Sequence, residues 1–354
     1  IGLIGGSYTF AAALAGFTAA FFLDRYARKR AILLFLAGLI LATLGGAIAW
    51  SRESMIAMRL LAGMFGGPLT SLAVSLVADY IPPERRGAAM GKVMGAFAAA
   101  SVLGVPFGLE LSERISWHAP FIFTAIMGAA VWVMAWKWLP YHAPLAAPKP
   151  PREQWAQMRQ LFSSKLVWAS YAMMTISMTA AFMVIPNISA HLQLNLDYPR
   201  EHIGLLYLCG GTVSFFGMRL AGKIMDKTSA TAVCLAATAV LTPVLLTGFV
   251  FYGLPVPIVI IFMGFMLAMS ARNVCAQTLS SKIPAPQLRA AFMSVQSAMT
   301  HLGGAAGSYA SSLILVEQGR KLLHMPTVGT ISLSMSLIVP FLFYYIERRL
   351  TRPS

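Results

Sequence analysis

Apolar stretches of about twenty residues, the length an α-helix needs to cross a bilayer, recur from one end of this sequence to the other. Hydrophobic residues make up 58% of the chain and charged residues 11%, against roughly one quarter charged in soluble domains. A chain of this kind belongs in a membrane, and its unit of organisation is the helix rather than the soluble domain.

Eleven apolar segments follow in order, at about 1–23, 31–50, 55–77, 88–109, 119–139, 165–190, 203–223, 230–251, 256–280, 288–316 and 327–346. The turn Ser51-Arg52-Glu53-Ser54 is so short that the second and third segments must be antiparallel neighbours. In the first segment, Ala12, Gly16 and Ala20 form a small-residue seam at four-residue spacing, suited to close helix contact. The fourth carries Gly91, Gly95, Gly104, Pro106 and Gly108, which mark bends or close contacts in a bilayer helix. Residues 140–164, rich in proline and charge, form a linker between a unit at 1–139 and another at 165–354.

The net charge of +15 would suggest nucleic acid if the cations clustered on a soluble face. Instead most of the 27 Lys and Arg fall on alternate loops of one side, as the positive-inside rule requires. The clusters at Arg25 to Arg30, Arg85-Arg86 and Arg348-Arg349, the linker and the C-terminus are therefore expected in the cytoplasm. The partner expected from this placement is the lipid bilayer, with no nucleic acid. Cys209, Cys234 and Cys275 lie inside apolar runs without the paired spacing of zinc or redox sites. They read as buried thiols, and neither a metal nor a cofactor is expected.

The chain also echoes itself. Asp24-Arg25 reappears 202 residues later as Asp226-Lys227, Ile81-Pro82 as Ile283-Pro284 and Ala88-Ala89 as Ala290-Ala291. One spacing shared by several pairs indicates two related halves. The segment at 165–190 then lacks a first-half counterpart, so a helix is expected to precede residue 1 in the full protein. The expected fold is an all-α membrane protein of two pseudo-symmetric six-helix bundles, with eleven of twelve helices present.

Ala20 to Lys29 resembles the first motif of the major facilitator superfamily: Asp24, Arg25, Arg28 and Lys29 match, with Ala20 and Ala27 in place of its glycines. Arg59 to Gly67 resembles the second motif, with Ala62 where the family carries Gln, and the Gly95 to Gly108 pattern resembles the third, which is associated with antiporters. Within the family the chain is similar to drug and sugar efflux proton antiporters. The resemblance implies a monomer in the plasma (inner) membrane, with a small-molecule substrate and protons as partners, that moves the substrate by alternating access.

It also implies roles for particular residues. Asp24, Arg25, Arg28 and Lys29, with their echoes Asp226 and Lys227, would form a cytoplasmic gate; a carboxylate there can hold a neighbouring Arg and face the positive N-terminus of a helix. The alternative is a solvated loop charge. The helix partner implied by the family begins near Pro286 to Ala290. Arg59 lies inside its helix, where a lone charge costs about 2.5 to 3.5 kcal/mol on insertion scales. It either snorkels outward or, as the resemblance implies, takes part in proton coupling or in a cavity ion pair. No Asp or Glu falls in mid-helix, so the coupling group is either a carboxylate in the preceding helix or His301, whose imidazole titrates near neutrality.

For the substrate cavity the candidates are Tyr171, Thr175, Thr179 and Asn187, which with Met178 and Phe182 mark one helix, Arg272, Asn273 and Gln277 on a second, and Gln296 and Thr300 on a third. Arg272 could face a polar cavity or an anionic substrate, or snorkel to the cytoplasm. A stripe such as Tyr171 to Phe182 also arises from ordinary packing. The function these features imply is proton-coupled efflux of drugs, sugars or metabolites. Proton-coupled uptake of a sugar or organic acid is the alternative, and a non-transporting membrane sensor a more distant one. No His-Glu-x-x-His, Gly-x-Ser-x-Gly or phosphate loop is present, and an enzyme is not expected.

Overall fold

The apolar runs fold as helices in the computed structural model, which describes residues 2–19, 27–80, 96, 100–140, 156, 159–284, 288–319 and 321–351. In chain order these are α1 (Gly2–Ala19), α2 (Arg28–Ala47), α3 (Arg52–Tyr80), a π-helical turn (Ala100–Gly104), α4 (Val105–Arg114), α5 (Ala119–Trp138), α6 (Lys165–Val184), a 3-10 turn (Ile185–Asn187), α7 (Ile188–Asn195), α8 (Arg200–Lys227), α9 (Ala230–Leu245), a second π-helical turn (Leu246–Val250), α10 (Ile258–Ser281), α11 (Arg289–Ile314) and α12 (Met325–Thr351). The chain is an all-helical membrane protein. Between α11 and α12 stands a feature the apolar runs do not announce: an antiparallel hairpin of β1 (Val316–Gln318) and β2 (Lys321–Leu323), turning at Gly319 with φ +62°.

Local chemistry sets the breaks. Ser51 and Ser54 exchange backbone and side-chain hydrogen bonds, Ser51 N–H to Ser54 Oγ at 3.0 Å and Ser54 N–H to Ser51 Oγ at 3.1 Å, which starts α3 in the manner of a capping box. Pro186 supplies no N–H, so the ladder of α6 breaks into the 3-10 turn, and the Asn187 side chain donates to the Met183 carbonyl at 3.0 Å. Pro243 similarly precedes the π-helical turn, where Phe251 N–H donates to Leu246 O at 2.7 Å. At Gly104 and Pro106 the chain passes from the first π-helical turn into α4, with Pro106 in the opening positions of α4. A β-carbon at Gly104 or Gly108 would meet nothing within 4 Å, so neither marks a close contact here; Gly95 lies outside the described residues.

The main helix contacts run in one cycle, α4 to α5, α2, α3, α1, α11, α6, α12, α9, α10, α8 and back to α4. Residues before 140 therefore meet residues after 165 along two principal seams, α1 against α11 and the α4 region against α8. The largest apolar core lies among α6, α8, α9, α10 and α12, around Met173, Leu241, Phe265, Cys275 and Phe343. Leu161, counted with the linker above, is buried with Val167, Tyr171, Leu288 and Phe292.

Seven helical segments among the described residues are long and apolar enough to cross a membrane. Though 18, 29 and 26 residues long, α1, α3 and α11 fall outside that group. They carry small and polar residues because they pack on one another rather than on lipid. A β-carbon at Gly67 would lie 2.8 Å from Ala12 Cα, and one at Gly63 2.9 Å from Ala11 Cβ, so only glycine lets α3 approach α1 this closely.

Candidate functional site

The seam between α1 and α11 is built from short side chains. Ser294 Oγ donates to Gly16 O at 3.4 Å, and a β-carbon on Gly6 would lie 3.3 Å from Ser308 Cβ. The two helices thus run antiparallel. His301 sits half-buried on α11, midway in sequence between Ser294 and Ser308.

The opposite side of α11 receives α6, and the stripe predicted as a cavity wall lies there. Tyr171 is 1% exposed; its ring stacks on Phe292 at 5.2 Å and its hydroxyl donates to Phe292 O at 3.4 Å. Thr175 Oγ1 donates to Met299 O at 3.4 Å, and Thr179 Oγ1 to Thr175 O at 2.8 Å within its own helix. Gly303 and Gly307 press on the backbone of α6 at Thr175 and Met183, and Phe182 faces Gly304. Asn187 Nδ2 donates to Ser311 Oγ at 3.0 Å. In this arrangement the stripe is helix packing. Gln296, one turn after Phe292, is 2% exposed, with neither amide atom hydrogen-bonded, while Thr300 Oγ1 donates to Gln296 O at 2.8 Å.

Arg272 and its two polar companions on α10 part company. The guanidinium is 3% exposed, and among the described residues none of its nitrogens has a hydrogen-bond partner. It lies on the buried side of α10 with Cys275 and Leu279, near Cys234 of α9. Asn273 and Gln277, one turn apart, are exposed on the other side. Nearer its start, α10 packs closely on α8 through Phe262 against Gly210 and Leu267 against Gly217.

Arg59 stands two turns into α3, because the helix begins at Arg52. It is half-buried, its guanidinium lies over the Phe121 ring at 5.1 Å, and its Nε has no hydrogen-bond partner. Phe121 faces the α2–α3 connection from α5, and the arrangement is a cation–π contact rather than an ion pair.

Of the predicted gate, Asp24 and Arg25 lie outside the described residues, as does the side chain of Asp226. Arg28 and Lys29 occupy the first turn of α2, half-buried, and Lys227 is exposed at the end of α8. Glu110 falls in the middle of α4, against the expectation that no acid stands in mid-helix, with Glu113 near its end, and Glu110 pairs with Arg114 one turn on. An open groove of about 710 Å³ between α2 and α5 has one polar lining residue, His118, among leucines and isoleucines. That lining suits lipid chains more than a polar solute.

Sequence reasoning passed over a polar group at the hairpin end. His191 and Asn195, one turn apart on α7, hydrogen-bond to each other at 2.9 Å, and His191 Nε2 lies 2.9 Å from Gly248 O. Their spacing of one helical turn on α7 was the available signal.

The family model for the Major Facilitator Superfamily matches residues 1–349. The chain is 38% identical over 109 residues to Multidrug resistance protein 3 of Bacillus subtilis (strain 168), a match covering 30% of this chain and 21% of that protein. It spans about half the length, 55% and 52%, of two further relatives. With the Probable sugar efflux transporter of Helicobacter pylori (strain P12) it shares 20% identity over 346 residues, covering 98% of this chain and 85% of the relative. Among solved structures, D-xylose-proton symporter superposes with a TM-score of 0.72 at 16% identity, over 96% of this chain and 86% of the other.

Proposed function

The chain belongs to the major facilitator superfamily of secondary transporters and is not an enzyme, and from that premise we propose that it exports a small organic solute in exchange for protons. Residues 1–139 and 165–354 act as two bundles joined by the linker 140–164, and they rock about a central site in mid-membrane. The protein works as a monomer in the plasma membrane.

The observation that carries this reading is the exposed pair Asn273 and Gln277 on a membrane-crossing helix. Two polar side chains one turn apart are costly against hydrocarbon and belong on a water-filled path. The two seams support the rocking motion. Each sets a helix of one half against a helix of the other, and at the α1–α11 seam short residues such as Gly6, Gly16 and Ser308 allow one surface to slide on the other. Export rather than uptake is favoured by relatives named for sugar efflux and multidrug resistance. The cytoplasmic gate consists of Asp24, Arg25, Arg28 and Lys29 with Asp226 and Lys227. Arg59 and His301 take part in proton coupling, and Arg272 and Gln296 serve the solute path in the state where the halves separate.

Purified full-length protein in liposomes tests the reading. A panel of labelled sugars and amphipathic drugs is loaded on the side of the basic loops, and a proton gradient is imposed toward that side. Export by exchange predicts that the gradient drives solute out and that its collapse stops the flux. Retention and accumulation of solute on the side toward which the protons flow would make the protein a symporter, and absence of any gradient-driven flux across the panel would overturn proton coupling.

A further inference from the structure

The hairpin end of the molecule holds a hydrogen-bond chain whose donors and acceptors can be assigned from the backbone. Leu322 N–H of β2 donates to Asn195 Oδ1 at 2.8 Å, and Asn195 Nδ2 donates to Leu322 O at 2.9 Å. A residue's own N–H and C=O cannot exchange roles, so this double bond determines which end of the carboxamide is oxygen and which is nitrogen. The second hydrogen of Asn195 Nδ2 points at His191 Nδ1, 2.9 Å away. An amide nitrogen does not accept, so Nδ1 must be bare. The ring proton then sits on Nε2, from which it donates to Gly248 O at 2.9 Å in the π-helical turn. The arrangement requires a neutral imidazole.

A second proton cannot be accommodated. Placed on Nδ1, it would face the Asn195 amide nitrogen, donor against donor. Rotating the carboxamide to offer Oδ1 to the ring would turn Nδ2 toward Leu322 N–H, again donor against donor. Unrotated, the carboxamide loses its bond to the ring and faces it donor to donor; rotated, it loses its bonds to Leu322. The ring has no route to water to relieve the conflict: it is 0% exposed, stacked on Phe249 at 5.4 Å and edge-on to Tyr252 at 4.9 Å.

We propose that His191 is a proton-binding site that works a clasp: neutral, it holds α7 to the β1–β2 hairpin through Asn195, and protonated, it lets the hairpin go. The hairpin is the direct connection from α11 to α12, and α11 forms the α1 seam, so the clasp bears on the helix that joins the two halves. Tyr252 is the titratable group in contact with the ring. Asp197 beyond α7, Glu317 and Lys321 of the hairpin and His324 after it are exposed, and α10 faces the ring with Ile258, Ile261 and Phe265. The clasp makes no use of the direction of transport and stands apart from the export reading.

The test places a nitroxide label on the hairpin through Lys321→Cys, an exposed position, in a Cys209→Ser background, with the protein in liposomes. Label mobility is followed as the pH is lowered through the range in which imidazoles titrate. The expected result is a rise in mobility that fits one proton and is complete within about two pH units. His191→Gln, whose amide can accept from Asn195 and donate to Gly248, keeps the label immobile throughout. Asn195→Asp, which offers a carboxylate to the protonated ring, reverses the sign, so that the label is more mobile at high pH. A label indifferent to pH with His191 present, or an unchanged response in His191→Gln, would overturn the clasp. Should His191→Gln not fold, the sign in Asn195→Asp decides: the unreversed sign refutes the clasp.

Discussion

Glu347 on α12 accepts the backbone N–H of Ala230 on α9 at 2.8 Å, and its second oxygen accepts that of Thr231 at 3.0 Å. A helix start leaves its first amides without intrahelical partners, and here a carboxylate from another helix takes two of them while facing the positive end of the helix dipole. Ser229 caps the same turn through Ala232 N–H at 3.0 Å. Glu347→Ala should therefore lower stability by about 0.5–2 kcal/mol, the range of cap losses. Glu347→Gln, which keeps one acceptor oxygen, should lose about half as much. Thermal unfolding in detergent reads both, and a Tm for Glu347→Ala equal to that of the parent would remove the cap from the account.

The glycines of α11 make a sharper contrast. A β-carbon at Gly307 would lie 3.0 Å from Met183 N and one at Gly303 3.1 Å from Thr175 Cα, both against backbone, whereas at Gly304 it would meet only the Phe182 ring at 3.5 Å. Gly303→Ala and Gly307→Ala should each push α6 and α11 apart and cost about 1–3 kcal/mol, as overpacking does. Gly304→Ala should be close to neutral. Size-exclusion profiles and Tm values of the three variants side by side check this. Equal behaviour at 304 and 307 would mean that α6 and α11 do not meet as described.

Asn187 and Ser311 give the same helix pair a polar tie. Hydrogen bonds between membrane helices measured by double-mutant cycles average about 0.6 kcal/mol, with a maximum near 1.7. A cycle of Asn187→Ala, Ser311→Ala and the double variant should return a coupling inside that range. Asn187 also bonds Met183 O, so its single substitution should cost more than that of Ser311. A coupling of zero would separate the two residues.

How much of this was legible beforehand depends on what each level of structure responds to. Helix positions follow from the length of apolar runs, so the run 119 to 139 marks α5 at Ala119–Trp138. The end of α12 does not follow, because the helix runs on through Arg348 and Arg349, which lie over Tyr344 and Tyr345 and suit a helix C-terminus. Periodicity puts Tyr171, Thr175 and Thr179 on one face but is silent on the neighbour; the glycines at 303, 304 and 307 were the sign that a helix would close on it. Arg272 and Asn273 are adjacent in sequence and point opposite ways, a difference only the packing of α9 on α10 resolves. Leu322 stands 127 residues from Asn195, and a backbone partner that distant leaves no trace in side-chain patterning.

Arg272 separates stability from function. A guanidinium 3% exposed, with three unbonded nitrogens among apolar side chains and thiols, is a net cost to the fold, of the order of 2.5 to 3.5 kcal/mol if it faced hydrocarbon at a helix centre. Burying a charge costs far more than burying an apolar chain of similar length, so Arg272→Met should raise Tm by several degrees. If the guanidinium is kept because the separated halves expose it to solute, the same variant should lose most gradient-driven transport, with the greatest loss for anionic solutes. Arg272→Lys should recover part of the transport, since charge returns without the planar fork, and should not share the gain in Tm. A lower Tm in Arg272→Met would show that the guanidinium is satisfied within the bundle, and its place in the solute path would then fall.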